Sequence, residues 1–269
     1  LVPLKKIIAT RALKSSSLDY VSWNSLKIKE GATLLEEVKA VIPLPQQPAS
    51  NDASQDVDAI VIEDKVTKQL IDYVSSIASI YNKNPFHSFD HASHVTQSVT
   101  KLLSRVVTPD NIDYKEMRYT RKSEPEAMHN FTYGITSDPL TQFAVVLSAL
   151  VHDMDHPGVP NTQLIKEGTD IAKTYKNKSI AEQNSVNLAW DLLMEPTYED
   201  LRRCIFSTQE ELDRFRQLII NAVLATDVMD KELGALRKKR WDLAFKTGSA
   251  GRPESSPDMA NRKATIVIE

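Results

Sequence analysis

A single cysteine, Cys204, stands in 269 residues. No intrachain disulfide can form, and a disulfide-stapled or cysteine-ligated zinc module is excluded. Glycine is scarce, at seven residues, which together with long helical runs points away from an all-β or doubly wound fold. No apolar run approaches the roughly 18 residues that a membrane-spanning helix needs, and no secretory signal peptide opens the sequence. Nor is there an excess of positive charge: 33 Lys and Arg face 36 Asp and Glu, for a net charge of −3. A general nucleic-acid binder usually carries a strong basic excess, so no nucleic-acid partner is expected. The remaining composition, 41% hydrophobic and 26% charged, is that of a soluble globule with a chain long enough for one large domain or two small ones.

The first residue is Leu1, and Ala264 to Glu269 end in an apolar run without a helix-stop signal. A piece of a longer protein is therefore expected. Residues 1–58 read as an N-terminal helical and linker segment, with one helix near Leu34 to Val41 and a Pro-, Ser- and Asp-rich linker over 43–58. From Ile60 to Tyr81, the apolar residues Val66, Leu70, Val74, Ile77 and Ile80 recur at helical spacing. A second helix is expected over Ser93 to Val107, and residues 108–138 read as a long surface loop. Asp138 and Pro139 mark a helix start, and the run Phe143 to Val151 is apolar all round, as in a central buried helix. Further helices are expected over Ser179 to Met194 and over Gln209 to Arg240. A Gly/Ser/Pro loop at 247–258 precedes a last helix opened by Pro257. The fold class is all-α.

Five of the six histidines fall in two windows: His87, His91 and His94 near Asp90, and His152 and His156 around Asp153 and Asp155. The second window ends the most apolar helix of the chain. Imidazoles and carboxylates buried there are expensive unless paired or metal-bound. His152 and His156 are one helical turn apart, with Asp153 about 100° around from His152. Imidazole plus carboxylate suits zinc or another divalent transition ion, and carboxylate plus water suits magnesium or manganese. A polar cluster that merely caps the helix end before Pro157-Gly158 is the alternative. Other features have equally plain readings. Ser179 and Glu182 make a capping box, Asp227 can pair with a basic neighbour, and Arg237 to Arg240 form a solvated helix end. Trp190, Phe206 and Phe215 read as core.

The two windows together resemble the catalytic domain of class I 3′,5′-cyclic-nucleotide phosphodiesterases. The residues that carry the resemblance are His87…His91-Ala92, the complete run His152-Asp153-Met154-Asp155-His156-Pro157-Gly158, Ser179-Ile180-Ala181-Glu182 and Ala225-Thr226-Asp227. The resemblance covers residues 59–269. It implies a compact multi-helix, HD-like bundle around a two-metal site, with Zn2+ held tightly and Mg2+ or Mn2+ more loosely. It makes His91, His152 and Asp153 metal ligands, Asp153 bridging both ions. His87 becomes the general acid, and His156 lies close to the phosphate. Glu182 and Asp227 orient the ligands and the waters of the looser metal. The reaction implied is hydrolysis of the 3′ phosphoester of cAMP or cGMP to the 5′-monophosphate, by a hydroxide held between the ions.

The pattern departs from the family where His94 replaces an acid and where Gln183-Asn184-Ser185 follow Glu182. The family's last metal-binding aspartate and its base-binding glutamine have no counterpart before Glu269, so this stretch alone is expected to be feeble or inactive. The resemblance also implies a cytoplasmic location, or the cytoplasmic part of a larger, membrane-bound protein, with regulatory or receptor domains fused to it. Two rivals keep part of the logic: another HD-type metal-dependent phosphohydrolase, and a non-catalytic module that binds metal or nucleotide for regulation.

Overall fold

Where apolar side chains repeat every three or four positions, helices form. The computed structural model describes residues 2–12, 33–45, 60–105, 124–245 and 257–269. It contains α1 (Val2–Ala12), α2 (Asp64–Ile80), α3 (Phe89–Ser104), α4 (Glu124–Phe131), α5 (Pro139–Val151) and α6 (Asn161–Glu167). These are followed by α7 (Asp170–Thr174), α8 (Ile180–Met194), α9 (Glu199–Ile205), α10 (Gln209–Leu224), α11 (Lys231–Phe245) and α12 (Pro257–Ile268). No strand occurs among the described residues, so the all-α class holds.

Helix α5 is the axis of the core. Leu140, Phe143, Ala144, Leu147 and Val151 are all buried, and α1, α3 and α10 pack around it. Phe215 on α10 lies against three rings at once: Phe143 at 6.0 Å, Phe206 at 5.6 Å and Trp190 at 6.5 Å between centroids. The core reading of the three aromatics is correct. Leu4 and Ile7 of α1, with Leu34, Ile42 and Leu44, belong to the same hydrophobic cluster.

Several boundaries differ from the expectation. The helix expected over Leu34 to Val41 is one 3₁₀ turn, Leu34–Glu37. The rest of the segment is extended because other helices supply its hydrogen bonds. Lys39 N–H donates to Asn221 Oδ1 (3.1 Å), Ile42 N–H to Thr265 Oγ1 (2.9 Å) and Leu44 N–H to Asn261 Oδ1 (3.0 Å), while Leu34 N–H, in the turn itself, donates to Gln183 Oε1 (2.8 Å). Tertiary partners thus override local helix formation. Leu44, in the expected linker, is buried; residues 46–58 lie outside the described residues.

Helix α3 starts at Phe89, four residues before the expected Ser93, because Ser88 Oγ accepts the His91 N–H at 3.3 Å. The expected loop at 108–138 contains α4 and a turn; its part at 108–123 lies outside the described residues, as do the end of the helix expected to reach Val107 and residues 246–256. The expected single helix over Gln209 to Arg240 is two. Asp227 Oδ1 accepts the N–H groups of Met229 and Asp230, both at 3.1 Å, and Asp230 Oδ1 accepts those of Glu232 and Leu233. Such side-chain acceptors end one helix and cap the next. The basic run is not a helix end: α11 continues to Phe245, and Arg240 pairs with Glu269 at 2.5 Å. Asp138 and Pro139 do open α5, although the Asp138 carboxylate accepts from Thr141 Oγ1 (2.6 Å) instead of a backbone N–H.

If Phe215 is the centre of the core, Phe215→Ala lowers stability by about 3–5 kcal/mol. Leu236→Ala, on an exposed position of α11, changes it by less than about 0.5 kcal/mol. Urea denaturation of the two variants checks both values.

Candidate metal centre

Helix α5 delivers its last turn to a polar site. His152 occupies its C-cap, and the chain then turns through Asp153, Met154 and Asp155. Met154 is fully buried, so the turn is anchored from beneath. Asp155 takes a left-handed conformation (φ 57°), held because Asn82 Nδ2 (2.9 Å) and Asn184 Nδ2 (3.1 Å) both donate to its carboxylate. Asn82 and Asn84 also donate to the His156 carbonyl. Gly158 follows at φ 79°, a conformation favouring glycine, where a Cβ would also come within 3.4 Å of Asn84 Cβ. Helix α3 packs on α5 and brings up the first histidine window.

Two groups of donors result. Ligand atoms of His91, His152 and Asp153 lie within 4.8 Å of one another, and so do those of His87, Asp153 and His156. Asp153 belongs to both. Its Oδ2 is 3.1 Å from His152 Nε2 and 3.8 Å from His91 Nε2. The rings of His87 and His156 stack at 3.6 Å with an interplanar angle of 14°. Phe86 packs at 4.4 Å against the His91 ring. His94 is exposed, and His129 lies apart, bonded through Nδ1 to Ser137 Oγ at 2.5 Å.

The donor set fits a cation. His152 Nδ1 lies 3.0 Å from the Ala149 carbonyl and its Nε2 faces Asp153. With an acceptor on each side, the ring needs a proton on both nitrogens or a cation between Nε2 and the carboxylate. A carbonyl partner on the far nitrogen is the usual way a ligand imidazole is held. Burial draws the His152 pKa down, but the hydrogen bond and charge of Asp153 outweigh it and raise the value. Burial would raise that of Asp153, and the surrounding imidazoles lower it instead. Burial and neighbouring imidazoles lower those of His91 and His156, against the opposing charge of Asp153.

A second layer backs the turn. Asn161 Nδ2 donates to Glu182 Oε2 (2.9 Å) and to Asp227 Oδ2 (3.3 Å), and Ser179 Oγ donates to Asp227 Oδ2 (2.9 Å). The capping box is therefore not formed: Ser179 sits at the N-cap of α8, but its hydroxyl is spent on Asp227. Asp227 binds hydroxyl, amide and backbone donors in place of a basic side chain. Burial, with the Asp227 charge adding to it, pushes the Glu182 pKa up to about 6.

Every site residue named from the sequence except Glu182 and Asp227 falls within one of the two donor groups, and those two meet at Asn161. Sequence reasoning missed Asn82, Asn84, Asn161 and Asn184. An asparagine has no periodicity or charge that marks it, although Asn84 before Pro85, Asn161 shortly after Gly158 and Asn184 just after Glu182 lie near a motif.

Residues 86–240 match the family model described as 3′5′-cyclic nucleotide phosphodiesterase. The chain belongs to this family. It is 28% identical over 180 residues to the cGMP-specific 3′,5′-cGMP phosphodiesterase 3 of Dictyostelium discoideum, covering 67% of this chain and 32% of that protein. It is 24% identical over 221 residues to the cGMP-inhibited 3′,5′-cyclic phosphodiesterase 3A of Homo sapiens, covering 75% of this chain and 18% of that protein. The chain thus spans a third or less of the length of these curated relatives. Among solved structures, the phosphodiesterase domain of the Salpingoeca rosetta rhodopsin phosphodiesterase superposes with a TM-score of 0.54 at 20% identity, over 96% of this chain and 64% of that one. At that identity the likeness shows the fold. No helix among the described residues is long and apolar enough to cross a membrane.

The raised Glu182 pKa has a sign that can be tested on metal-free protein. A carboxyl that holds its proton more tightly when folded loses stabilisation as pH rises. Between the ordinary value of 4.5 and about 6, Glu182 removes about 2 kcal/mol of stability. Denaturation across that window shows a downward slope with pH that Glu182→Gln, which keeps an acceptor for Asn161, reduces.

Proposed function

We propose that this chain hydrolyses the 3′ phosphoester of cyclic nucleotides, cAMP or cGMP, to 5′-monophosphates. The observation that carries the reading is the position of Asp153, shared between one donor group with two imidazoles on its zinc-like side and another that contains the stacked His87 and His156. Family membership supports the same reaction.

His91, His152 and Asp153 would hold Zn2+, Asp153 would also reach Mg2+ or Mn2+, and Glu182 and Asp227 would orient the surroundings of that looser ion. When bound, the two divalent ions polarise the phosphoryl group and lower the pKa of water, so that a nucleophile exists near neutral pH. His156 Nδ1 accepts the Gly158 N–H at 3.0 Å, so the neutral ring carries its proton on Nε2. That assignment makes His156 a donor to a phosphate oxygen and removes it from the ligand set. His87 holds the proton that the departing 3′ oxygen takes up. Its ring is fixed between His156, stacked at 3.6 Å, and Phe86, edge-on at 5.0 Å.

We take residues 59–269 as the catalytic domain and 1–58 as an N-terminal segment, of which the described residues 2–12 and 33–45 pack on it through Leu4, Ile7, Leu34, Ile42 and Leu44. The greater length of the relatives and the rhodopsin fusion in Salpingoeca rosetta support a larger parent protein, with this part on the cytoplasmic side.

The test is turnover of cAMP, cGMP and a nucleoside monophosphate by the full-length protein, alongside His87→Ala. The reading predicts 5′-monophosphate from a cyclic nucleotide and a kcat that falls roughly 10²- to 10⁴-fold in the variant, with bound zinc unchanged. Unchanged turnover in His87→Ala, or hydrolysis of the monophosphate alone, would contradict it.

A further inference from the structure

Asn161 occupies the first turn of α6, three residues after Gly158, and its one amide group reaches three places. Nδ2 donates to Glu182 Oε2 at 2.9 Å and to Asp227 Oδ2 at 3.3 Å, and Oδ1 accepts the Ala181 N–H at 3.0 Å. Glu182 and Asp227 are like-charged groups that act on each other, so a donor between them offsets a repulsion that would otherwise drive them apart. The Ala181 N–H is one of the donors that the start of α8 leaves without a partner inside the helix. Asn161 satisfies it because the N-cap residue does not. Ser179 is held at φ 37°, an uncommon conformation for a residue with a side chain, and its hydroxyl is bound to Asp227 at 2.9 Å. Such strain persists only where the surroundings over-determine it. The ring Asn161–Glu182–Ala181–Ser179–Asp227 is closed by these bonds.

We propose that Asn161 is the positioning residue that sets the spacing of Glu182 and Asp227 and thereby the affinity of the looser divalent-cation site. The inference rests on the two-ion reading above. Asn161 touches neither His91, His152 nor Asp153 in any hydrogen bond of the structure, so its effect falls on one ion and not the other. It also ties the first turn of α6, just after the His152–Gly158 run, to the Ser179–Glu182 and Ala225–Asp227 motifs, which explains how the second layer keeps register with the first.

The experiment is a Mn2+ titration of zinc-loaded protein, followed by the electron paramagnetic resonance signal of free Mn2+, with zinc per chain measured by elemental analysis. Asn161→Ala is compared with wild type, and Asn161→Leu, which restores the volume but not the donor, guards against a collapsed cavity. Both variants are expected to bind Mn2+ roughly 10-fold to 100-fold more weakly, a range typical of residues that orient a metal's surroundings, while zinc stays at the wild-type level. Mn2+ affinity within a factor of two of wild type in either variant overturns the inference alone. Zinc and Mn2+ lost in parallel also overturn it, because they mark a merely structural residue. Wild-type protein that takes up zinc but no Mn2+ overturns the two-ion reading, and the inference with it.

Discussion

The structure depends on one buried carboxylate. Asp153 is 8% exposed, at the end of a helix whose other residues are nearly all apolar, and a charge placed there is costly unless it is compensated. The compensation comes from four imidazoles, two from its own turn, one from α3 (His91) and one from the turn before it (His87). Their rings are held in turn by Ala149, Gly158 and Phe86. The arrangement of α3 on α5, and hence of the core beneath, is the geometry that brings these five groups together.

The surroundings are built from neutral amides where ion pairs might have been used. Asn82, Asn84 and Asn184 saturate the backbone and carboxylate oxygens of the turn, and Asn161 links the two carboxylates behind it. An amide adds donors without adding charge. The net balance around Asp153 therefore stays in the hands of the imidazoles and of whatever cation they bind. Farther out, the same device recurs: Gln183, Asn221, Asn261 and Thr265 hold the extended segment 33–45 against the helices. Gln183 is next to Glu182, so the same helix turn faces both the site and that segment.

The sequence made the chemistry and the core legible for a physical reason. Histidines and acids at the end of an apolar run are costly, so their clustering stands out, and α5 with Phe215, Phe206 and Trp190 follows from apolar spacing alone. What the sequence concealed was decided by partners distant along the chain. The stretch after Glu37 gives its N–H groups to side chains of α10 and α12. The break at 225–230 contains no Gly or Pro and arises from the side chains of Asp227 and Asp230. Ser179 followed by Glu182 has the form of a capping box, yet the hydroxyl is drawn to Asp227, 48 residues away. The run Arg237 to Arg240 looks like a solvated face, but Arg240 meets Glu269 in a buried pair.

The central claim is that one carboxylate serves two ions. Anomalous diffraction from crystals equilibrated with Zn2+ and Mn2+, recorded on either side of each metal's absorption edge, tests it directly. The account predicts two separate peaks with Asp153 in contact with both, zinc on the side of His91 and His152. A single peak, or a second peak out of reach of Asp153, would contradict it.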